Sequence, residues 1–318
     1  MLAHKYKLLA KLNQGSFGQI YKAENIRTGE LVAVKIEPKN GDQKSLKSEA
    51  KIYQYLAKLD GFPQLKWYGS TDKVTYLVTD LLDHSIYDLV KRQGRLEMQV
   101  VLLLGKQMIQ RLHILHNHFL LHRDIKPQNF MLDASTNKLY LIDFGFCKRY
   151  NYDGEHIEQG TISKMIGTPN FVSINVHKGI EPSRRDDIES CIYIMIYILF
   201  GKLFWDKETD SKKMSFKKEQ LTNTEKPLIP DFLKQMLIYV RALDFDECPD
   251  YEEIIKVFDT VYAEMGFSSV AESATESVAK SATEESLEVA SLEVASLEVA
   301  SLEVASLEKE DEISDLED

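Results

Sequence analysis

The chain has 318 residues, 44% of them hydrophobic, which is enough apolar material for a large buried core. Its net charge of −11 is unevenly spread: residues 266–318 hold 15 acidic and 2 basic side chains, so residues 1–265 stand at +2 and give no electrostatic case for a nucleic-acid-binding body. Three scattered cysteines exclude a disulfide framework, and the absence of a signal-like start, a twenty-residue apolar run and a C-terminal lipid site points to a soluble intracellular protein.

In chain order, residues 5–37 alternate apolar and polar around turn signals at Gly15, Gly18 and Thr28-Gly29, which predicts three antiparallel strands. Leu46, Ala50, Tyr53 and Ala57 predict a helix over 44–60, stopped at Gly61. Apolar runs at 65–69 and 74–79 predict two more strands. From 86 onward the pattern is helical, with a long helix at about 96–119 and strand-like pieces near 130–132 and 139–142. The ten-residue run CIYIMIYILF at 191–200 is half a membrane span and reads as a buried helix. The expected class is α+β: a small strand-rich lobe over about 1–79, a connection at 80–85, and a larger, mainly helical lobe over 86–265, with a ligand-binding cleft between them. After Phe267 the sequence collapses to a few residue types without aromatics or proline, the composition of a disordered acidic tail.

The first elements carry a phosphate-binding pattern. Asn13, Gln14, Gly15, Ser16, Phe17, Gly18, Gln19 and Ile20 read as a hairpin covering phosphate, since glycines let backbone amides approach an anion. The loop departs from G-x-G-x-x-G at Asn13, a residue type that tolerates left-handed backbone angles. In LVAVKIE, Ala33 and Lys35 share one strand face, where Ala33 can floor a flat base and Lys35 can reach phosphate. Glu49, in LKSEAKIY, is the acidic residue on the next helix that can fix Lys35; in isolation it would read as a solvated glutamate.

The most specific stretch is LHRDIKPQNF, 121–130. Asp124 can accept or orient a hydroxyl proton, Lys126 can neutralise a moving phosphate, and the amide oxygen of Asn129 can hold Mg²⁺. Nineteen residues after Asp124, LIDFGF places the Asp143 carboxylate at a strand end before glycine, which suits a metal held by phosphate oxygens. D-F-G alone would be weak; after the H-R-D loop it is strong.

These pieces, in this order, resemble the eukaryotic protein kinase fold over residues 5–265. LKSEAKIY, LLLGKQMI, HRDIKPQNF, the S-I-N at 173–175, the run S-R-R-D-D-x-E-S and the late DFDECPDY narrow the resemblance to the casein kinase 1 family. The resemblance implies a serine/threonine kinase that uses ATP and Mg²⁺. In it Asp124 is the catalytic base, Lys126 the phosphate-side lysine, and Asn129 and Asp143 the metal ligands. Lys35 holds the α- and β-phosphates, oriented by Glu49. Thr79 is the gatekeeper, and Asp80 to Leu82 form the hinge whose backbone meets adenine. Asp187 should tie down the H-R-D loop, and a Lys126–Thr168 pairing fits serine/threonine kinases. The resemblance further implies protein substrates with an acidic or phosphorylated residue three positions before the acceptor. The near-neutral body argues against a direct nucleic-acid partner, the lack of a lipid site against a membrane anchor, and a monomer is expected. The resemblance places the chain in cytoplasm and nucleus, with roles of the DNA-damage, vesicle-traffic or cell-cycle kind.

One departure bears on substrates. In the segment that begins Gly167-Thr168, Asn170 stands where the family usually has a phosphate-binding arginine. A neutral amide recognises a dianion poorly, so plain acidic residues should matter more than a priming phosphate. The tail suggests what such substrates look like. Ser291, Ser296, Ser301 and Ser306 each follow a glutamate by three residues in the SLEVA repeats, and Ser314 follows Asp311 likewise. The tail therefore reads either as a tethered substrate or inhibitor of the same enzyme, or as a passive repeat. Two other readings stay open: a pseudokinase scaffold, which intact Lys35, Asp124, Asn129 and Asp143 argue against, and a small-molecule kinase, which Lys126 and the Gly167-Thr168 segment argue against.

Overall fold

The structure, a computed structural model, describes residues 2, 4–15, 18–39, 45–223 and 228–267. Ser16, Phe17 and the tail serines Ser291, Ser296, Ser301, Ser306 and Ser314 lie outside the described residues. Among the described residues, those up to Lys58 together with Pro63–Leu82 form one compact unit, and Leu59–Phe62 together with those from Asp83 to Phe267 form another.

The first unit contains β1 (Tyr6–Gly15), β2 (Gly18–Asn25), β3 (Leu31–Pro38), α1 (Ser45–Tyr55), β4 (Leu65–Ser70) and β5 (Val74–Asp80). Its strands pair antiparallel in the order β1-β2-β3-β5-β4. Val32 and Val34 are buried with Tyr6, Ala23, Tyr76 and Val78 in an apolar cluster. Strand periodicity of two therefore turns Ala33 and Lys35 to the other face of β3, opposite Thr79 and Leu77 of β5.

Helix α1 is shorter than the sequence predicts. Its buried stripe runs through Leu46, Ala50, Tyr53 and Leu56, whereas Ala57 is exposed. Leu56 and Ala57 still bond back to Ile52 and Gln54, but Lys58 adopts φ +72° and ends the helical path before Gly61 is reached.

The second unit carries β6 (His84–Ser85), α2 (Ile86–Gln93), α3 (Met98–Asn117), β7 (Leu120–Leu121), a 3₁₀ turn (Pro127–Asn129), β8 (Phe130–Asp133) and β9 (Lys138–Leu141). Three two-residue strands follow, β10 (Lys148–Arg149), β11 (Asn151–Tyr152) and β12 (Glu155–His156). The helices α4 (Ile174–His177), α5 (Arg184–Phe200), α6 (Ser211–Glu219), α7 (Asp231–Ala242) and α8 (Tyr251–Glu264) complete it.

Helix α5 contains the CIYIMIYILF run and is buried on all sides from Asp186 to Ile196, as a helix apolar all round must be. A Ser183–Asp186 capping box starts it, and Gly201 at φ +70° ends it. Helices α3 and α7 pack against α5, and α8 packs against α3. Among the described residues no helix is long and apolar enough to cross a membrane.

Gly61 has a packing reason instead of a capping one. A Cβ there would fall 1.9 Å from Nε of Arg111, which is buried and donates to Leu139 O at 2.9 Å and to the Asp60 carboxylate at 2.7 Å.

Candidate active site

In the first unit, β1 and β2 pair to the tip of their hairpin, with Asn13 opposite Ile20, Gln14 opposite Gln19 and Gly15 opposite Gly18. Gly18 has φ +145°, and a Cβ on it would lie 2.3 Å from Ile36 O of β3. Its glycine is therefore required by the neighbouring strand as well as suited to an anion. On β3, Lys35 Nζ donates to Glu49 Oε2 of α1 at 2.8 Å, and Glu49 is 1% exposed. A buried carboxylate whose partner is an ammonium holds that ammonium in one place, and here it does so on the face shared with Ala33. Asp80 uses its side chain inside the sheet, accepting from Gln64 N at 2.6 Å and from Lys66 Nζ at 3.0 Å. At Asp80 a ligand is thus left the backbone, while Leu82 is half-buried.

In the second unit, the loop after β7 gathers the polar residues that the sequence singled out. Asp124 is 3% exposed. Its Oδ2 accepts from Lys126 Nζ at 2.6 Å, and its Oδ1 accepts from Thr168 Oγ1 at 2.7 Å. Asn129 Nδ2 donates to the Asp124 carbonyl at 2.9 Å, which assigns the amide orientation and leaves Oδ1 as the atom able to ligate a cation. The Ile142 amide donates to Asn129 O at 3.0 Å, and Ile142 O lies 3.0 Å from the His122 ring, which fixes the chain entering Asp143. An amide oxygen and a carboxylate are hard donors that suit Mg²⁺ sharing its other positions with water and phosphate oxygens.

Arg123 and Asp143 both have left-handed backbones, φ +67° and +66°. Such conformations cost about 1–3 kcal/mol each in a residue with a Cβ and persist only where neighbours enforce them. For Arg123 the enforcing group is Asp187 at the start of α5. Asp187 Oδ1 accepts from Arg123 N at 2.9 Å, and Oδ2 accepts from His122 N at 2.8 Å. Oδ2 also meets His116 Nε2 at 3.0 Å, and His116 Nδ1 takes the Tyr251 hydroxyl. The Arg123 guanidinium donates to Phe146 O at 2.8 Å and to Glu181 Oε1 at 3.2 Å, where Lys148 also donates at 2.9 Å. Glu181 was not singled out by its sequence context, because its partners lie 58 and 33 residues away.

The segment from Gly167 leads away from Asp124. Phe171 N and Val172 N both donate to Thr168 O, at 2.8 and 3.0 Å, closing a tight turn that opens at the residue whose hydroxyl holds Asp124. Asn170, half-buried, donates from Nδ2 to Asp206 Oδ1 at 3.3 Å. The position thus presents a carboxylate beside an amide, the wrong charge for a dianion. Fully buried Lys218, which sequence context hides in the run KKMSFKK, donates to the carbonyls of this segment. Among the described residues no cluster of three or more His, Cys, Asp or Glu has the geometry of a metal site.

Compared with known protein families, residues 6–278 match the family described as the protein kinase domain.

Proposed function

The chain belongs to the protein kinase domain family, and from that premise we propose that it is a serine/threonine kinase of casein kinase 1 type acting on acidic protein substrates. The observation that carries this reading is the Asp124 carboxylate held between Lys126 and Thr168. Each carboxylate oxygen accepts more than one hydrogen bond, so a serine or threonine hydroxyl entering there can be oriented, and its proton taken, while Lys126 stays beside the oxygen that becomes bonded to phosphorus. Lys35, fixed by Glu49, is the group that steadies the nucleotide phosphates, and Ala33 leaves room for a flat base on the same strand face. Asn129 and Asp143 would hold Mg²⁺, which when bound neutralises charge on the phosphate oxygens.

The test is Mg·ATP-dependent phosphate transfer to a peptide containing E-x-x-S, compared between the full chain and a chain ending at Gly266. Transfer carries the reading; its absence in both forms favours the scaffold alternative. Faster transfer without the tail would make the repeats, with glutamate three residues before Ser291, Ser296, Ser301 and Ser306 and aspartate before Ser314, a tethered inhibitor.

Two further outcomes follow from the substrate segment. Because Asn170 faces Asp206, phosphoserine at the −3 position should accelerate transfer over glutamate by less than about a hundredfold. Asn170→Arg should raise that preference by about tenfold, the worth of one charge-assisted contact. Peptide kcat/KM for the paired substrates reads both, and a hundredfold gain from phosphoserine in the unaltered protein would refute the reading of Asn170.

Gly167 has φ +97°, and a Cβ on it would lie 2.6 Å from Arg123 O and 2.9 Å from Val172 Cγ1. Gly167→Ala therefore displaces either the catalytic loop or the turn after it. Strain of about 1–3 kcal/mol, relieved by moving Asp124, should lower peptide kcat at least about tenfold. A variant with unchanged kcat and unchanged melting temperature would show that the loop yields without consequence.

A further inference from the structure

Lys218 is fully buried in the second unit and, among the described residues, has no direct carboxylate partner. Its Nζ donates to Val172 O at 2.6 Å and to Pro169 O at 3.0 Å, and it lies 3.0 Å from His177 Nε2. The Tyr193 and Trp205 rings stand 4.7 and 5.3 Å from the same nitrogen. Burial pushes the Lys218 ammonium well below the usual lysine range, yet either protonation state keeps at least two N–H groups for the two carbonyls.

A buried amine in an aromatic pocket is costly to desolvate. Met or Leu would fill the space between Tyr193 and Trp205 without that cost. What the amine adds is donors to the two ends of the segment Pro169–Val172, whose amides of Phe171 and Val172 close the turn onto Thr168 O. Trp205 Nε1 donates to the carbonyl between them, Asn170 O, at 2.9 Å. Three of four consecutive carbonyls are thus held from one pocket. His177 completes the pocket through Ser211, whose Oγ lies 2.8 Å from Nδ1.

We propose that Lys218, assisted by Trp205, is a positioning residue for the protein substrate: it sets the Pro169–Val172 turn and through it the Thr168 hydroxyl on Asp124, and does not take part in nucleotide binding. This rests on the kinase reading for its catalytic consequence and on the hydrogen bonds alone for its geometric one. Every group it touches lies in the second unit and after Thr168 in the chain.

The experiment compares the full-length protein with Lys218→Met, which retains length and apolar packing, and with Trp205→Phe, which retains a ring and removes only the indole N–H. Peptide KM and kcat are measured beside the dissociation constant of a non-hydrolysable ATP analogue. Hydrogen exchange of the Phe171 and Val172 amides is followed in the same samples. The expected result for Lys218→Met is at least about a tenfold loss of peptide kcat/KM, exchange faster by a similar factor, and nucleotide affinity within about twofold. Trp205→Phe should show the same split at about threefold, and it carries the test if Lys218→Met does not fold. Unchanged peptide kinetics in a folded variant, or a parallel loss of nucleotide affinity, would overturn the proposal and leave Lys218 a core residue. If the unaltered protein transfers no phosphate, the kinase reading fails by itself, and the exchange of Phe171 and Val172 still decides whether Lys218 sets the turn.

Discussion

Asp124→Asn should lower kcat for peptide phosphorylation by about a hundredfold to ten-thousandfold, the span of a lost general base, with little change in melting temperature. The structure explains why chemistry and stability should separate here. An asparagine placed at 124 can turn its oxygen to Lys126 and its amide to the Thr168 hydroxyl, which accepts as readily as it donates, so both contacts of Asp124 have a replacement. The Asn129 bond goes to the backbone carbonyl of residue 124 and is untouched. What the amide cannot do is accept a proton from an incoming hydroxyl or carry the negative charge that orients it. Steady-state kinetics, a melting curve and nucleotide affinity on one preparation check all three parts. A loss of less than about tenfold would reduce Asp124 to an orienting residue and move the search for a base elsewhere. A loss accompanied by a large fall in melting temperature would mean that the two contacts had not been replaced after all.

The residues of this loop were legible in the sequence because their chemistry is local. Asp124, Lys126 and Asn129 lie within six positions, and LIDFGF repeats the message nineteen residues on. The strands of the first unit were legible for a similar reason, since alternation along β3 separates Val32 and Val34 from Ala33 and Lys35 without any knowledge of the partner strands. Lys218 and Glu181 were not legible. In KKMSFKK four lysines look like a solvated face, yet Met214, Ser215 and Lys218 are buried while Phe216 is 60% exposed. Which side of α6 faces inward is decided by the Tyr193–Trp205 pocket, supplied by other parts of the chain. The left-handed backbones of Arg123 and Asp143 carry no glycine to announce them. The end of α1 was misplaced for the same kind of reason, because Lys58 makes the turn and Gly61 serves Arg111.

Asp187→Asn should be costly in both stability and turnover. The Asp187 carboxylate is 3% exposed and accepts from three donors, the amides of His122 and Arg123 and the His116 ring. Asparagine at this position has one acceptor oxygen. Its NH₂ group must face one of the two backbone amides, leaving that donor unsatisfied and repelled. Removing one member of a buried, hydrogen-bonded charged set costs about 3–5 kcal/mol. Released from Asp187, Arg123 has little reason to keep φ +67°, and relaxation there moves Asp124, the next residue. A displacement of about 1 Å at a reacting group lowers turnover by about a hundredfold. Chemical denaturation and kcat measured well below the melting point separate the two effects. Acid provides an independent check. Burial pulls His116 below its usual 6.5, and Asp187, which burial alone would raise, is held below 3.8 by the His116 hydrogen bond and nearby positive charge. Both groups bind fewer protons folded than unfolded. Their contribution to stability is therefore complete above pH 6.5, begins to fall below it as the unfolded imidazole protonates, and is drained further below 3.8 through Asp187. Asp187→Asn should lose the second part of that slope and keep the first. An acid profile that still runs parallel to that of the unaltered protein below pH 3.8 would mean that Asp187 does not anchor the loop as an anion.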